Sequence, residues 1–356
     1  MQKALLPLAW LYGIGTGLRN KLFDWGILQS KSFDIPIICV GNLAVGGTGK
    51  TPHTEYLIRL LQSQGLNVAT LSRGYKRHTK GYLLANEHST AHDIGDEPYQ
   101  MKQKFPDIRV AVDENRCHGI EQLMKVTNPP IDVIIMDDAY QHRYAKAGYY
   151  LLLTDFNCPY FNDALMPAGR LRETSKGKQR ANAIVMTKCP NNLHETDYEA
   201  MTCKLKAAEH QPVFFSRFRY GKLKPPSAST NETLENKQVL LVAGIAQPQP
   251  LFEEVSRKAE KVELLAFADH HDFTEKEMQL ISNKFMQLEE GRRIIVTTEK
   301  DAARLAHHPA LDKSLHPYIY VLPIEVEILQ NKQNTFNLNI IEYVRTNSRN
   351  SCLPKE

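Results

Sequence analysis

Short apolar runs separated by amphipathic stretches set the rhythm of this chain. Ile35–Val40, Val68–Leu71, Ile108–Val112, Asp132–Asp138, Tyr149–Thr154 and Ala183–Thr187 are rich in aliphatic and β-branched residues and too short for helices. Such runs read as parallel strands buried on both faces. Between them, Leu57, Leu60 and Leu61 recur at helical spacing over Pro52–Gln64. Pro52 suits a first turn and Gly65 is a natural stop. Tyr99–Lys104 and a segment opened by Asn115-Arg116 predict further helices. Strand alternating with helix predicts an α/β domain. The pattern changes at Pro212: an extended stretch with a turn at Gly221 leads into a Pro/Ser/Asn-rich linker. A second series follows, with strands at Val239–Val242, Val262–Phe267, Arg293–Thr297 and Tyr318–Leu322 and a helix at Pro250–Lys258. The expected organisation is an N-terminal arm (1–30), a larger α/β domain (31–212), a short β-stranded linker (213–236), a smaller α/β domain (237–345) and a polar tail (346–356).

Composition narrows the class. The 356 residues carry a net charge of +4, with 42% hydrophobic and 24% charged side chains. That suits two ordinary globular domains and gives no basic excess that would call for nucleic acid. The cysteines are scattered with no C-x-x-C pair, the usage of reduced thiols. In the arm, Ala4–Leu18 is uncharged but interrupted by Pro7, Gly13, Gly15 and Gly17. It is shorter than the ~20 residues a spanning helix needs. Trp10, Trp25, Tyr12, Arg19 and Lys21 flank it, a pattern of the membrane–water interface. A helix packed on the protein's own core is the other reading of the same pattern.

The chemistry centres on Ile35–Pro52, which reads IPIICVGNLAVGGTGKTP. A strand, a loop holding Gly46, Gly47, Thr48 and Gly49, then Lys50, Thr51 and a helix form a phosphate cradle, a P-loop. Glycines let backbone N–H groups face an anion, the helix N-terminus adds partial positive charge, and the lysine reaches the β/γ-phosphates of ATP. Ala44 departs from the full pattern, which has glycine there. The run Asp132–Asp138 ends in two carboxylates, Asp137 and Asp138, where such folds hold Mg²⁺ together with the Thr51 hydroxyl. Asp96 lies in Asp93–Pro98, ahead of a helix, where an acid can also serve as a cap. Arg116 is placed to face an anion. Arg170, Arg172 and Glu173 lie on a loop beside Gly169, suited to phosphate recognition or to pairing among themselves. Ser72–Arg77 follows a strand end, with Lys76 and Arg77 read as solvated.

Two P-loop classes fit poorly. Partition ATPases carry a lysine where this chain has Val45, and a guanine reader would need an acid that Thr187-Lys188-Cys189-Pro190 lacks. The combined set VGNLAVGGTGKTP, LSRGY, GDEP, DDAYQHR, PAGRLRE, ADHH and TTEKDA, from Ile35 to about Leu305, resembles the tetraacyldisaccharide 4′-kinase family of lipid A assembly. Ala139-Tyr140 stands where that family usually reads Gly-Phe. The resemblance implies a P-loop NTPase-like, mostly parallel sheet domain plus a smaller α/β domain. It implies ATP and Mg²⁺ as cofactors and transfer of the γ-phosphate to the 4′-hydroxyl of an acylated disaccharide 1-phosphate, at the cytoplasmic face of the bacterial inner membrane. It further implies Asp96 as base, His270 as its dyad partner across the interdomain cleft, Lys50 on the β/γ-phosphates, Thr51, Asp138 and Asp137 on the metal, and Arg116, Arg170 and Arg172 on phosphate. The expected partners are the lipid substrate and the membrane surface, with no nucleic acid and no obligate protein partner. The rival reading is a membrane-associated P-loop switch ATPase.

Overall fold

The computed structural model describes residues 3–225, 232–245, 247–268, 271, 273–306 and 308–347. The chain forms two compact units, one of residues 1–218 with 326–356 and one of 219–325. The strands in chain order are β1 (Ile37–Asn42), β2 (Val68–Ser72), β3 (Leu83–Leu84), β4 (Arg109–Val112), β5 (Val133–Asp137), β6 (Tyr149–Asp155), β7 (Ala183–Thr187) and β8 (Val213–Tyr220), then β9 (Gln238–Ala243), β10 (Lys261–Ala266), β11 (Arg293–Thr297), β12 (Ile319–Val321) and β13 (Ile324–Ile328). The larger sheet runs β13-β8-β7-β6-β1-β5-β2-β4-β3. It is parallel from β8 to β4, and β3 pairs antiparallel with β4.

Both faces of this sheet are covered. The larger unit's helices include α1 (Leu6–Asp24), α2 (Lys50–Ser63), α3 (Ala91–Ile94), α4 (Asp96–Lys104), α5 (Arg116–Leu123) and α6 (Glu195–Leu205). Alternate strand residues feed two cores: Ile37, Cys39, Ile134 and Met136 on one face, Ile38, Val40, Val133 and Ile135 on the other. That is why the strands read as continuous apolar runs. β1 lies between β5 and β6. Its carboxyl end is where the strand order turns, the crevice in which open parallel sheets bind ligands.

The smaller unit is a four-stranded parallel sheet ordered β10-β9-β11-β12. It carries α7 (Gln249–Ser256), α8 (Glu275–Met286) and α9 (Glu299–Ala306). Thr274 and Glu277 cap α8 reciprocally. At the start of α9 the Thr298 hydroxyl accepts from Asp301 N (3.1 Å) and donates to the Asp301 carboxylate (2.7 Å).

The unit boundaries differ from those expected. Residues 213–220, read as linker, form β8 inside the larger sheet, with Phe214 and Phe215 buried. The chain also does not end in the smaller unit. β13 returns to the edge of the larger sheet, and α10 (Gln333–Asn347) packs Phe336, Ile340 and Val344 into its core. Tyr343 donates to Ile37 O (3.0 Å) and accepts from Ile37 N (2.9 Å), tying α10 to the start of β1. Sequence alone hid this because Ile324–Ile328 alternates apolar and acidic residues, the pattern of an edge strand that also passes for surface chain. Phe336→Ala is expected to destabilise the larger unit by about 3–5 kcal/mol in urea unfolding. A loss below about 1 kcal/mol would place α10 outside that core.

Candidate active site

The turn from β1 into α2 is built around two left-handed glycines. Gly46 has φ of 108° and Gly49, at the N-cap of α2, has φ of 85°. Only glycine adopts such backbone without strain. A Cβ at Gly49 would also lie 2.6 Å from the Phe218 ring, whereas no atom lies within 4 Å of one at Gly46 or Gly47. The middle of the loop is therefore open. Its shape is held from below: Asn42 Nδ2 donates to Thr48 Oγ1 (2.9 Å) and Thr187 Oγ1 donates to Thr48 O (2.8 Å). Its flank pairs with the arginine-bearing loop, through Val45 N to Arg170 O (2.7 Å) and Arg172 N to Leu43 O (2.7 Å).

Beneath the loop stand the two carboxylates that end β5. Asp138 has φ of 47°, an uncommon conformation for a non-glycine residue and one that clusters at functional sites. Lys50 Nζ lies 3.6 Å from its carboxylate, and Arg172 binds it through two nitrogens at 2.9 and 3.2 Å. Burial works to raise the Asp138 pKa, but Lys50 and Arg172 prevail and hold it below the usual carboxylate range. Asp137 is buried and meets the opposite fate. Burial, then Glu97 and Asp138, push it up to about 7, with Lys50 and the Thr54 hydroxyl (3.2 Å) opposing. The two adjacent acids thus diverge because Arg172 and Lys50 pair directly with Asp138, while burial and like charge outweigh the pull of Lys50 on Asp137.

The cluster extends outward. Arg172 Nη1 donates to Gln141 Oε1 (3.2 Å), and Gln141 Nε2 donates to Asn42 O (2.8 Å) and Glu173 Oε1 (3.1 Å). Glu173, buried, also accepts from Arg180 (2.7 Å) and from Asn20 Nδ2 (2.9 Å) on α1. Tyr12 OH donates to Arg172 O (2.9 Å) and Arg19 Nη2 to Gln141 O (3.1 Å). The polar side of α1 is therefore fastened to the site. Its apolar residues Leu6, Leu8, Trp10, Leu11, Ile14 and Leu18 are exposed, and only Ala9 and Phe23 are buried. The core-helix reading of the arm does not describe this packing.

Of the residues singled out in the sequence, Lys50, Asp137, Asp138, Arg172 and Glu173 come together. Thr51 is half-buried in the first turn of α2. Arg116 is buried at the start of α5. It donates to Asp113 O (2.6 Å), its Nε has no hydrogen-bond partner among the described residues, and burial, with Arg73 nearby and Asp138 opposing, lowers its pKa to about 10. Arg170 turns instead to Asp163 (2.8 Å) on its own loop. Asp96 is half-buried at the first position of α4, one residue before the Glu97 whose charge reaches Asp137. His270 lies outside the described residues. Sequence reasoning missed Gln141 as the hub of the network, the α1 contacts and His53. The ring of His53, fully buried, donates from Nδ1 to Gly49 O (2.7 Å), so its Nε2 accepts from Ser216 Oγ (3.0 Å).

A lysine beneath an open glycine loop at the turning point of a parallel sheet, facing a strand-end carboxylate, is the arrangement of a P-loop phosphotransferase. Comparison with known proteins narrows the class. The family model described as "LpxK: Tetraacyldisaccharide-1-P 4'-kinase" matches residues 1–342, and the chain belongs to this family. It is 55% identical to a tetraacyldisaccharide 4'-kinase of Bacteroides fragilis, over 100% of this chain and 96% of the relative. It is 48% identical to the one from Flavobacterium johnsoniae, over 98% of each chain. Among solved structures it is similar to "apo" form LpxK from Aquifex aeolicus in complex with ATP. The TM-score is 0.72 and the identity 28%, over 96% of this chain and 99% of that one.

Burial pushes the His53 pKa down from 6.5 to about 4 despite the Gly49 contact. The folded chain thus keeps this ring neutral where the unfolded chain binds a proton. Stability is complete above about pH 6.5 and falls as pH drops towards 4, by about 3 kcal/mol in total from this group. In denaturant titrations at stepped pH, His53→Gln is expected to flatten that slope. An unchanged slope would show that His53 carries no such linkage.

Proposed function

We propose that this chain transfers the γ-phosphate of ATP to the 4′-hydroxyl of a tetraacylated glucosamine disaccharide 1-phosphate, the 4′-kinase step of lipid A assembly. The observation that carries the reading is the Lys50–Asp138–Arg172 cluster under the open Gly46–Gly49 loop, in a chain of this family. Phosphoryl transfer leaves the protein little covalent work; it asks for positioning and charge neutralisation. Backbone N–H groups of the loop and the N-terminus of α2 hold the phosphates. Lys50 neutralises the β/γ oxygens, and Arg172 brings a guanidinium to the same carboxylate. Arg116, with an unpartnered buried N–H, and Arg170 bind phosphate on ATP or on the lipid. Asp96 takes the proton of the attacking hydroxyl.

The donor set fits Mg²⁺, which takes one or two carboxylates and completes its shell with water and phosphate oxygens. Asp138, Asp137 and the Thr51 hydroxyl would hold it, and its charge would offset that of the phosphates. Asp96→Asn is expected to lower kcat about 10²–10⁴-fold while nucleotide binding stays near normal.

The acyl chains place the substrate in a bilayer, so the enzyme works at that surface, peripherally, at the cytoplasmic face of the inner membrane. No helix among the described residues is long and apolar enough to cross a membrane. α1 supplies the contact through its exposed face, with Trp10 69% exposed. Trp10→Asp with Leu11→Asp, which leaves Tyr12, Arg19 and Asn20 in place, is expected to weaken sedimentation with vesicles at least fivefold. Undiminished sedimentation would remove α1 as the anchor.

The deciding assay follows labelled γ-phosphate in detergent micelles, with and without the acylated disaccharide 1-phosphate. Label in a lipid product, lost in Lys50→Ala and Asp96→Ala, is the expected result. Label only in free phosphate, indifferent to the lipid, would overturn it in favour of a membrane-associated switch ATPase.

A further inference from the structure

At the root of α1, beside Arg180, lies a cavity of about 550 Å³ lined by none of the residues assigned above to phosphoryl transfer. Phe23, Leu28 and Tyr150 give it apolar walls, and Arg143, Lys146 and Arg180 give it three cations. No carboxylate among the described residues lines it. Asp24 and Glu173 pair with Arg143 and Arg180 (2.7 Å each) but are not among the lining residues. Lys146 is exposed and has no carboxylate partner among the described residues. Arg180 Nε is buried without a hydrogen-bond acceptor among the described residues. The site therefore combines surplus positive charge with an unused donor, on walls that accept hydrocarbon.

The surroundings indicate the source of an anion. In the turn after α1, Gly26 and Leu28 line the cavity, while Trp25 and Ile27 between and beside them are 63% and 64% exposed. Lys21 Nζ lies 6.0 Å from the centre of the Trp25 ring. An exposed tryptophan and isoleucine beside a cationic hollow, continuous with the exposed apolar face of α1, are the anchors of an interfacial surface. We propose that this cavity binds the anionic headgroup of a membrane phospholipid while Trp25 and Ile27 enter the bilayer beside it. The inference rests on the reading that α1 docks on a membrane. It adds a lipid contact distinct from the phosphoryl-transfer site. The two are mechanically linked, because Arg143 donates to Asn20 O (2.9 Å) and Arg180 to Glu173, the carboxylate that Asn20 and Gln141 share.

The test is sedimentation of the full chain with phosphatidylcholine vesicles and with vesicles containing about 30 mol% phosphatidylglycerol. One cation at an anionic surface changes partitioning roughly fivefold. Lys146→Glu is expected to cut the gain from phosphatidylglycerol by at least that factor and leave binding to phosphatidylcholine unchanged. Ser32→Trp, which fills the cavity and keeps the charge, is expected to remove the same gain. Lys204→Glu, exposed on α6 and not among the lining residues, is expected to keep it. Equal losses in Lys146→Glu and Lys204→Glu would show diffuse surface attraction and overturn the site. So would a full gain in Ser32→Trp. Competition by soluble glycerol 1-phosphate at millimolar concentration would overturn the lipid as source and leave a free phosphate ester. Should wild type ignore phosphatidylcholine yet show the Lys146-dependent gain, the docking of α1 fails and the headgroup site stands.

Discussion

The carboxylate of Asp138 is the point from which the larger unit's chemistry is strung. It stands at the end of a fully buried strand, in a left-handed conformation, and two cations from separate segments converge on it. Lys50 comes from the first turn of α2 and Arg172 from the loop after the short helix at Tyr160–Asn162. Without that carboxylate, two positive groups would face each other beneath a loop already lined with N–H dipoles. With it, both are held together under that loop. The neighbouring Asp137 has no ion-pair partner among the described residues, so burial and like charge prevail there. The same strand end thus presents one firmly ionised acid and one whose charge depends on what approaches it.

From this centre the polar network runs outward to α1 and explains the arm's inverted amphipathicity. In an ordinary surface helix the apolar side faces the core. Here Tyr12, Arg19 and Asn20 point inward, because the groups they meet are Arg172 O, Gln141 O and Glu173. Gly13 lets the helix approach Leu165, where a Cβ would come within 2.6 Å of the Leu165 side chain. The apolar residues are left outside. A helix fastened by its polar face to this charged network and exposing its apolar face couples its outer surface to the network through few bonds.

Much of this could be read from residue order. The aliphatic runs found their strands to within a residue or two, since a strand buried on both faces has no other composition. The glycine loop, the acid pair and Arg172 also declared themselves, because their chemistry is local. What stayed hidden depends on distant partners. Nothing in TPHTE says that His53 spans from Gly49 to Ser216. Nothing in AGRLRE says that Asp163 claims Arg170 while Asp138 claims Arg172. The return of β13 and α10 was invisible for the same reason: an edge strand and a helix reveal their unit only by what they pack against.

The departures from the expected motifs follow the same logic. Ala44 replaces a glycine of the loop, yet its backbone is not left-handed; it pairs with Leu171 in a short antiparallel bridge that any residue can make. The left-handed positions are Gly46 and Gly49, and both are kept. Ala139 stands where glycine is usual, but the left-handed turn falls on Asp138, so a methyl costs nothing there. Tyr140 adds a hydroxyl to a fully buried ring. An unpaired buried hydroxyl would cost about 1–3 kcal/mol, but this one donates to Gly177 O at 2.9 Å. Packing is tighter on the other side, where Gly41 cannot take a Cβ without meeting that of Tyr140 at 2.6 Å. The positions at which this chain varies are those where the backbone permits a side chain, and the positions it keeps are those where it does not.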